Sequence, residues 1–470
     1  MKLKRIISAI VIAAIFMISI YGIYRVLCWK DTVKEYTSSL TQLYKTDGDL
    51  TDVVFVGSSH CYFAIYPQYF WEDMGVSVFD MAVSSQDHTS AYYQLKELLK
   101  TQTPEVVFMD VYGITFDEQQ VAGNEYRNLL SMHTSANSVE HVVKDSESEK
   151  WLDYIFRFPI IHTRYRELTK FDFIDYKPND FLRGEILTWR KNGQGEPLYA
   201  DGDLHPSQLS EEQIGWLDDL VKLSEKKGFE LIFYTSPYYM TEEEQNQTDA
   251  VALYAQEKGI PMFDLNRLRN DIGFNFYEDL IDSGHCNAYG ARKIATFFEE
   301  YLRENYDLTD HRGDKKYWQW DKDLQWYYHS MNLEMMEDTE ELSLYAKLAS
   351  DTDDTVTVIS LEGRDYDERG FDTEYIEALS YFGIDLEGEG AGKWIFRDGE
   401  SLKVLENEVG TDPVYYELSN TDTLKLGYEG DYMTKENIMI NKDSYYNHGS
   451  RLTFVVYDLV GEEVVSYRGF

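Results

Sequence analysis

Cysteine and basic residues are both scarce in this chain. Only three cysteines occur in 470 residues, so no disulfide framework holds the protein together. The 44 lysines and arginines are outnumbered by 84 aspartates and glutamates, which gives a formal net charge of -40. A field of that sign repels phosphate backbones and excludes nucleic acid as a partner. Internal repeats and low-complexity tracts are absent as well, and the length predicts two globular domains.

The apolar run at the N-terminus is the clearest targeting signal. Residues 6–24 carry no charge and are long enough to cross about 30 Å of hydrocarbon, and residues 1–5 are basic. A signal peptide is the alternative, but the run is longer than a typical signal-peptide core and no small-x-small cleavage site precedes Arg25. We therefore predict that residues 1–30 are a cytoplasmic stub and a transmembrane signal anchor. This makes the chain a single-pass plasma-membrane protein whose bulk is extracellular.

Residues 50–306 alternate short apolar runs with amphipathic stretches, which predicts an α/β domain with a parallel sheet covered by helices. The alternation lapses at about 116–205, where polar and aromatic residues predict an insertion of helices and loops over the carboxyl edge of the sheet. The expected strands are 52–56, 77–81, 105–111, 230–235 and 261–264. The expected helices are 90–101, 210–227, 242–258 and 288–305.

The chain changes character after residue 306. Residues 307–352 form an aromatic, charged linker and a helical stretch, with the helix expected at 325–348. In residues 353–470, short strand-like runs are separated by Gly, Asn and Asp turns. This pattern predicts a second domain that is small and mainly β.

Two short segments hold the residue types that acyl chemistry requires. Gly57–His60 follows the first predicted strand, which places Ser59 on a strand-to-helix turn at the carboxyl edge of the sheet. Asp282 and His285 stand three residues apart before the last predicted helix. A serine hydroxyl needs a base within hydrogen-bond reach, and the base needs a carboxylate to orient it. Ser59, His285 and Asp282 are therefore the candidate catalytic residues. The alternative is that Ser59 only caps a helix and His285 is an ordinary loop residue.

The order of these motifs resembles the SGNH/GDSL hydrolase superfamily. Gly57–His60 stands where the superfamily has Gly-Asp-Ser-Leu, and Asp282–His285 stands where it has Asp-x-x-His. Asn287, Tyr289–Gly290 and Lys293 are also similar to the segment that follows the family's histidine. The resemblance implies a flavodoxin-like three-layer fold and gives the three candidate catalytic residues the roles of nucleophile, base and orienter.

The chain departs from this superfamily at the oxyanion hole. The family has a glycine whose amide serves the hole, whereas Met81–Gln86 occupies that place with Ser85 nearest to it. The family also has an asparagine donor, whereas Val107–Tyr112 contains none. One such donor contributes about 3 kcal/mol. Gly57, His60 and Ser85 are the remaining oxyanion or binding candidates.

These departures resemble a branch of membrane-anchored SGNH-like proteins that modify cell-surface polymers. The branch includes DltD-like teichoic-acid D-alanylation proteins and polysaccharide O-acetyltransferases. Its members work with a membrane-bound O-acyltransferase that delivers the acyl group across the bilayer. The resemblance therefore implies such a partner and a polymer substrate outside the cell.

Several residues beside the motifs allow two interpretations. His60 could place a ring N–H near the oxyanion, or it could be a first-turn helix residue that faces a neighbouring loop. Cys61 and Cys286 could be small buried residues that flank the site, or they could form a bridge between the two motif loops. His88 and Asp110 suggest a metal, but no second ligand stands at a suitable spacing, so we predict no metal and no cofactor.

The C-terminal domain resembles the ILEI/FAM3 domain. The resemblance lies in Ile359–Asp365, Leu379–Ile384, Trp394–Gly399, Gly449–Asp458 and Val464–Ser466. A domain of that family forms the stem of a protein O-mannose glycosyltransferase, where it binds carbohydrate. The resemblance therefore implies carbohydrate binding.

Together these features predict an extracytoplasmic, membrane-anchored serine esterase or O-acyltransferase. The enzyme would modify a cell-surface polysaccharide or a teichoic-acid-like polymer through an acyl-enzyme on Ser59. The alternative is a non-catalytic glycan-binding or assembly protein with an SGNH-like scaffold. The sequence leaves open whether water or a sugar hydroxyl accepts the acyl group.

Overall fold

The computed structural model describes most of the chain as two compact units, Met1–Leu324 and Gln325–Phe470. The described residues are 2–27, 38–116, 126, 128–166, 168, 170–173, 188–193, 195, 199–361, 373–386, 392–406, 412–427, 438–445 and 450–470. Parts of the predicted anchor, the predicted insertion and the ILEI-like motifs, such as residues 28–30, 174–187 and 362–365, lie outside this set.

The first unit begins with a long apolar helix, α1 (Lys2–Leu27). Its stretch Arg5–Leu27 is long and apolar enough to cross a membrane, and it is largely exposed up to Leu27, which is buried. Large side chains such as Ile12, Phe16 and Ile18 are exposed, which water disfavours. A signal sequence would have the same length and composition.

A five-stranded parallel sheet forms the centre of the first unit. The strands are β1 (Val53–Gly57), β2 (Val78–Ala82), β3 (Val106–Asp110), β4 (Glu230–Thr235) and β5 (Met262–Asp264). They lie in the order β2-β1-β3-β4-β5 and all pair in parallel. This is the flavodoxin-like strand order, so the prediction of a flavodoxin-like parallel α/β sheet is confirmed.

Helices cover both faces of the sheet. After α1, those described in this unit are α2 (Ser38–Lys45), α3 (Ser59–Ala64), α4 (Pro67–Met74), α5 (His88–Leu98), α6 (Ala136–Asp145), α7 (Trp151–Phe156), α8 (Phe158–Ile161), α9 (Glu211–Lys227), α10 (Glu242–Lys258) and α11 (Ala288–Asn305). One face packs Val54, Val56 and Met109 against α5, α9 and α10. On the other face Phe55 stacks on Phe108 with 4.4 Å between ring centroids, and Phe298 of α11 lies 4.8 Å from Phe108. These contacts make three layers.

The predicted insertion contains the short helices α6, α7 and α8. Three 3₁₀ turns, Ser148–Lys150, His162–Arg166 and Lys170–Phe173, connect with them. Helix α6 packs on α5, where the Ser90 hydroxyl lies 3.0 Å from Nε2 of the buried His141.

The second unit consists of two antiparallel sheets and helices. One sheet has the order β14-β13-β6-β7-β8 and the other the order β12-β11-β10-β9. The strands are β6 (Thr355–Leu361), β7 (Gly392–Arg397), β8 (Glu400–Glu406), β9 (Val414–Glu417), β10 (Thr423–Leu426), β11 (Ile438–Ile440), β12 (Asp443–Ser444), β13 (Leu452–Asp458) and β14 (Glu463–Gly469). Val356 and Val455 of the first sheet share a core with Leu424 and Ile438 of the second. The prediction of a small, mainly β domain is confirmed.

The helix predicted at 325–348 is wrong as a single element. The structure has α12 (Trp318–Asp338), α13 (Leu342–Asp351) and, later in the chain, α14 (Thr373–Ser380). The break between α12 and α13 has a tertiary cause, because the Arg468 guanidinium donates to the carbonyl oxygens of Glu337 and Thr339 at the end of α12. An arginine from a distant strand satisfies carbonyl groups that a continuing helix would use.

Candidate active site

Ser59 lies on a tight turn between β1 and α3. Strand β1 ends at Gly57, and Ser58 caps α3 by accepting a hydrogen bond from the His60 amide at 3.3 Å. Ser59 is the first residue of α3 and is half-buried. A Cβ on Gly57 would lie 2.6 Å from the Asp110 Cβ, so only glycine allows this close approach between β1 and the end of β3.

The candidate base and its carboxylate lie on the loop before α11. Oδ1 of Asp282 accepts hydrogen bonds from the amides of Gly284 at 2.7 Å and His285 at 2.9 Å, which folds the loop back on the carboxylate. The Tyr239 amide donates to the carbonyl oxygen of Ser283 at 2.7 Å. These contacts fix the side chain of His285 by local geometry.

Ser59, His285 and Asp282 form a continuous hydrogen-bonded chain. The distance between Ser59 Oγ and His285 Nε2 is 2.9 Å, and the distance between His285 Nδ1 and Asp282 Oδ2 is 2.8 Å. The fold therefore brings together Ser59 and His285, which are 226 positions apart in the sequence. The His285 side chain is 27% exposed, so the site is accessible from solvent.

The carboxylate of Asp282 is held in its charged form. Partial burial acts to raise its pKa, but the hydrogen bonds from the His285 ring and from the Gly284 amide outweigh it. The pKa of Asp282 is lowered to about 2 as a result. A permanently ionised carboxylate orients the imidazole and stabilises the imidazolium that forms when His285 takes a proton.

The residues after His285 anchor the loop to the body of the domain. Asn287 caps α11 by accepting from the amides of Tyr289 and Gly290, and its amide group donates to the carbonyl oxygen of Glu278 at 2.7 Å. Lys293 pairs with Oδ2 of the buried Asp279 at 2.6 Å. This explains why the segment after the histidine carries those residue types.

Ser85 lies on the turn after β2, the neighbour of β1 in the sheet. Its φ is +52°, the left-handed region that favours glycine. The resemblance to the SGNH superfamily expects a glycine at this place. Among the described residues, no hydrogen bond uses the amide of Ser59 or Ser85 as a donor, so both amides are free to serve an oxyanion.

Sequence reasoning missed Asn128, which holds the Ser85 turn. Asn128 is buried, and its amide group donates to the Ser85 carbonyl oxygen at 3.0 Å and to Asp87 Oδ2 at 3.3 Å. Asp87 in turn caps α5 through the Ser90 amide at 2.8 Å. No local pattern signals this role, because Asn128 belongs to the insertion and lies 43 positions from Ser85.

His60 is buried beside His285, the candidate base. Its ring stacks on Tyr112 with 3.7 Å between centroids, contacts Tyr238 at 4.6 Å and meets the His285 ring edge-on at 5.4 Å. A Cβ on Gly284 would lie 3.0 Å from His60 Nε2. Burial lowers its pKa well below the usual value, so the ring is neutral. His60 lies in the first turn of α3, and a role of its ring N–H at an oxyanion stays a prediction.

A group of buried acidic side chains lies under Gly57. The thiol of Cys61 donates to Asp80 Oδ1 at 3.1 Å, and Asp110 Oδ1 accepts from the Tyr112 amide at 3.0 Å. Burial raises the pKa of Asp80 well above its usual value and that of Asp110 to about 7. Burial therefore favours the protonated form of Asp80, and it lets Asp110 change its protonation state near neutral pH.

Cys61 and Cys286 are free, buried thiols. The interpretation as a bridge between the two motif loops is therefore wrong in this structure, because the Cys61 sulfur is engaged with Asp80 instead. Burial raises the pKa of both thiols, which keeps them protonated and unreactive.

Metal ligands do not gather in the described part of the chain. No group of three or more His, Cys, Asp or Glu side chains lies close enough there to hold an ion. His88 contacts Trp216 with 5.4 Å between ring centroids, and Asp110 lies under Gly57. The two residues that suggested a metal in the sequence therefore lie in separate surroundings.

The known proteins that resemble this chain are solved structures of low sequence identity. No family model matches the chain, and no curated protein matches it. The chain is similar to the solved structure of a protein described as lipolytic and of the G-D-S-L family from Desulfitobacterium hafniense DCB-2, with 12% identity over 54% of this chain and 99% of that chain and a TM-score of 0.29. It is also similar to an acetyl xylan esterase, AlAXEase, with 12% identity over 53% and 99% and a TM-score of 0.28.

A gut microbial diltiazem-metabolizing enzyme is a third such structure, with 12% identity, a TM-score of 0.20 and coverage of 54% of this chain and 47% of that chain.

Proposed function

We propose that the protein is a serine esterase or O-acyltransferase that works through an acyl-enzyme on Ser59. The observation that carries the proposal is the hydrogen-bonded chain from Ser59 through His285 to Asp282, with links of 2.9 and 2.8 Å. Both distances lie in the range that direct proton transfer and orientation require. A serine that only caps a helix would need neither partner, and here Ser58 caps α3 instead.

The reaction follows from the roles of these groups. Ser59 Oγ attacks the carbonyl carbon of an ester while His285 Nε2 takes the hydroxyl proton. The adduct then collapses, the bond to the leaving alcohol breaks, and that alcohol takes the proton from His285. A water molecule or a sugar hydroxyl next gives its proton to His285 and attacks the acyl carbon. The bond between that carbon and Ser59 Oγ then breaks, and Ser59 Oγ takes the proton back from His285. The amides of Ser59 and Ser85 are the candidate donors to the oxyanion.

The proposal places this enzyme on the outer side of the plasma membrane. Helix α1 would be the anchor, residues 6–24 would cross the bilayer, and the substrate would be an ester on a cell-surface polysaccharide or teichoic-acid-like polymer. The supports are the exposed apolar surface of α1 and the basic residues at its N-terminal end, before the apolar run. A membrane-bound O-acyltransferase partner would supply the acyl group if the direction is transfer.

The second unit is proposed to bind carbohydrate. The rings of Tyr415 and Tyr467 are 64% and 38% exposed on its sheets, and exposed aromatic rings can stack on sugar faces. A non-catalytic glycan-binding protein would share this unit but would not need the complete triad of the first.

Labelling with a fluorophosphonate probe tests the acyl-enzyme. The full-length protein in detergent should bind the probe covalently, and Ser59→Ala and His285→Ala should lose the label. Ser283→Ala is the matched control, because Ser283 is exposed on the same loop and contributes its backbone carbonyl to a hydrogen bond. This variant should label like the wild type. Equal labelling of wild type and Ser59→Ala would reject the proposal.

The direction of reaction needs a second assay. An aryl acetate substrate should release its alcohol in both hydrolysis and transfer. The product that carries the acetyl group is therefore measured with and without an added polysaccharide. Acetyl on the polysaccharide supports transfer, and acetate alone supports hydrolysis.

A further inference from the structure

The insertion exposes a group of large apolar side chains at its surface. Leu152, Phe156, Phe158, Tyr165 and Phe173 lie on α7, α8 and the two 3₁₀ turns that follow, and each is between 47% and 66% exposed. We refer to these five residues as the insertion patch. Such a concentration of exposed aromatic rings marks an interaction surface.

The insertion patch adjoins the end of helix α1. The Arg164 guanidinium donates to the carbonyl oxygen of Leu27, the last residue of α1, at 2.9 Å, and it also pairs with the buried Asp172 at 2.7 Å. The 3₁₀ turns that carry Tyr165 and Phe173 pack against α1. Leu27 is buried, whereas the preceding turns of α1 are almost entirely exposed.

Helix length places this contact at the edge of the hydrocarbon. The stretch Arg5–Leu27 has 23 residues and is about 34 Å long, against a hydrocarbon core of about 30 Å. If α1 spans the bilayer, Leu27 therefore lies at its outer boundary, and the insertion patch lies at the same level. Aromatic side chains are enriched at this level in membrane proteins.

Charge distinguishes this segment from the rest of the chain. The chain as a whole has a formal net charge of -40, but residues 150–173 contain five basic and three acidic residues. Arg166 is exposed and its guanidinium lies over the Tyr165 ring at 5.4 Å from the centroid. A basic and aromatic surface suits lipid headgroups, whereas a strongly acidic one is repelled by anionic lipids.

We propose that the insertion patch is embedded in the outer headgroup region of the membrane and seats the catalytic unit on the bilayer. This inference rests on the proposed anchoring through α1. The occupant is a lipid surface, because the patch continues the surface of the one described helix that is apolar enough to cross a membrane. A second copy of the chain or another protein would be the alternative occupant.

Spin labelling of the full chain in anionic lipid nanodiscs tests this proposal. Single cysteines are introduced as Phe156→Cys and Phe173→Cys in a Cys28→Ser background, where the remaining native thiols, Cys61 and Cys286, are buried. The labels are then probed by collision with oxygen, which concentrates in lipid, and with a polar nickel complex, which stays in water.

Ile214→Cys is the matched control, because Ile214 is an apolar residue on α9 that is 40% exposed and lies outside the insertion. Labels in the insertion patch should collide more with oxygen than with the nickel complex, and the ratio should be reversed at the control. A patch that behaves like Ile214 would overturn the proposal. Low collision with both reagents would also overturn it, since a protein occupant excludes both.

A label at Ile15→Cys shows whether α1 is in the membrane, independently of the insertion patch. Ile15 lies in the middle of α1 and is 59% exposed. If Ile15 reports lipid and the insertion patch reports water, the patch is not embedded but the anchoring stands. If Ile15 reports water, the anchoring itself is wrong, and the embedded patch is rejected with it.

Discussion

Replacing Asp110 with asparagine tests the electrostatics under the turn that carries Ser59. Asp110 is buried, its Oδ1 accepts from the Tyr112 amide, and its Oδ2 has no hydrogen-bond partner among the described residues. Burial raises its pKa from 3.8 to about 7. Asparagine keeps an oxygen for the Tyr112 amide and cannot ionise, so Asp110→Asn removes the titration while it preserves the shape.

The raised pKa of Asp110 makes the folded chain less stable as the pH rises. Below pH 3.8 the Asp110 carboxyl is protonated in both the folded and the unfolded chain. Its titration then takes nothing from the free energy of unfolding. As the pH rises toward 7, the unfolded chain loses its proton first, so the free energy of unfolding falls by about 1.4 kcal/mol per pH unit. The loss attributable to Asp110 reaches about 2 kcal/mol at pH 5 and about 4 kcal/mol at pH 8.

The measurement is urea unfolding of the full chain in detergent at about pH 5 and about pH 8. The wild type should lose about 2–3 kcal/mol more than Asp110→Asn between these values. Asp203→Asn is the control, because Asp203 is exposed, and it should follow the wild type at both pH values. A difference between wild type and Asp110→Asn that stays constant with pH would refute the reasoning.

Three further variants test the site. Asp282→Asn should lower kcat about 10⁴-fold with the fold intact, because the carboxylate that its pKa of about 2 keeps ionised would no longer orient the His285 ring. An unchanged kcat would contradict this. Gly57→Ala should destabilise the protein by about 1–3 kcal/mol, because the new Cβ would overlap Asp110. Gly215→Ala on helix α9 should stabilise the protein slightly, because there is open space at its Cβ. Equal shifts of the two melting temperatures would contradict this prediction. Asn128→Ala should lower kcat and the rate of fluorophosphonate labelling of Ser59 together, because it loosens the Ser85 turn and both reactions develop negative charge on an oxygen that the Ser85 amide would stabilise. An unchanged kcat would contradict this.

The elements of the first unit were predictable because their signals are local. Strand β4 and helices α9 and α10 occur almost where the apolar runs and capping residues place them. Ser210 and Thr241 each cap the helix that follows by accepting a hydrogen bond three residues ahead, at Gln213 and Glu244. A cap and an amphipathic repeat lie within one stretch of sequence, so no tertiary knowledge is needed to find them.

The features that escaped prediction depend on distant contacts. The break after α12 requires Arg468, which lies about 130 positions further along the chain. The raised pKa values of Asp80 and Asp110 require the packing of β2 and β3 beside β1, and the role of Asn128 requires the fold of the insertion. None of these residues differs in its local pattern from an ordinary polar residue. Their roles depend on the surroundings that the fold provides.

The candidate oxyanion donors show how the fold can compensate for a side-chain donor that the sequence lacks. The chain has no asparagine in Val107–Tyr112, so a side-chain donor worth about 3 kcal/mol is missing there. The amide of Ser85 can compensate only if its turn is rigid, since a donor stabilises an oxyanion best when it is already in position. Asn128 supplies that rigidity through the Ser85 carbonyl oxygen, on the opposite side of the same residue from the amide. The insertion therefore contributes to the proposed site by holding a backbone donor in place, and this makes a catalytic function compatible with the missing asparagine.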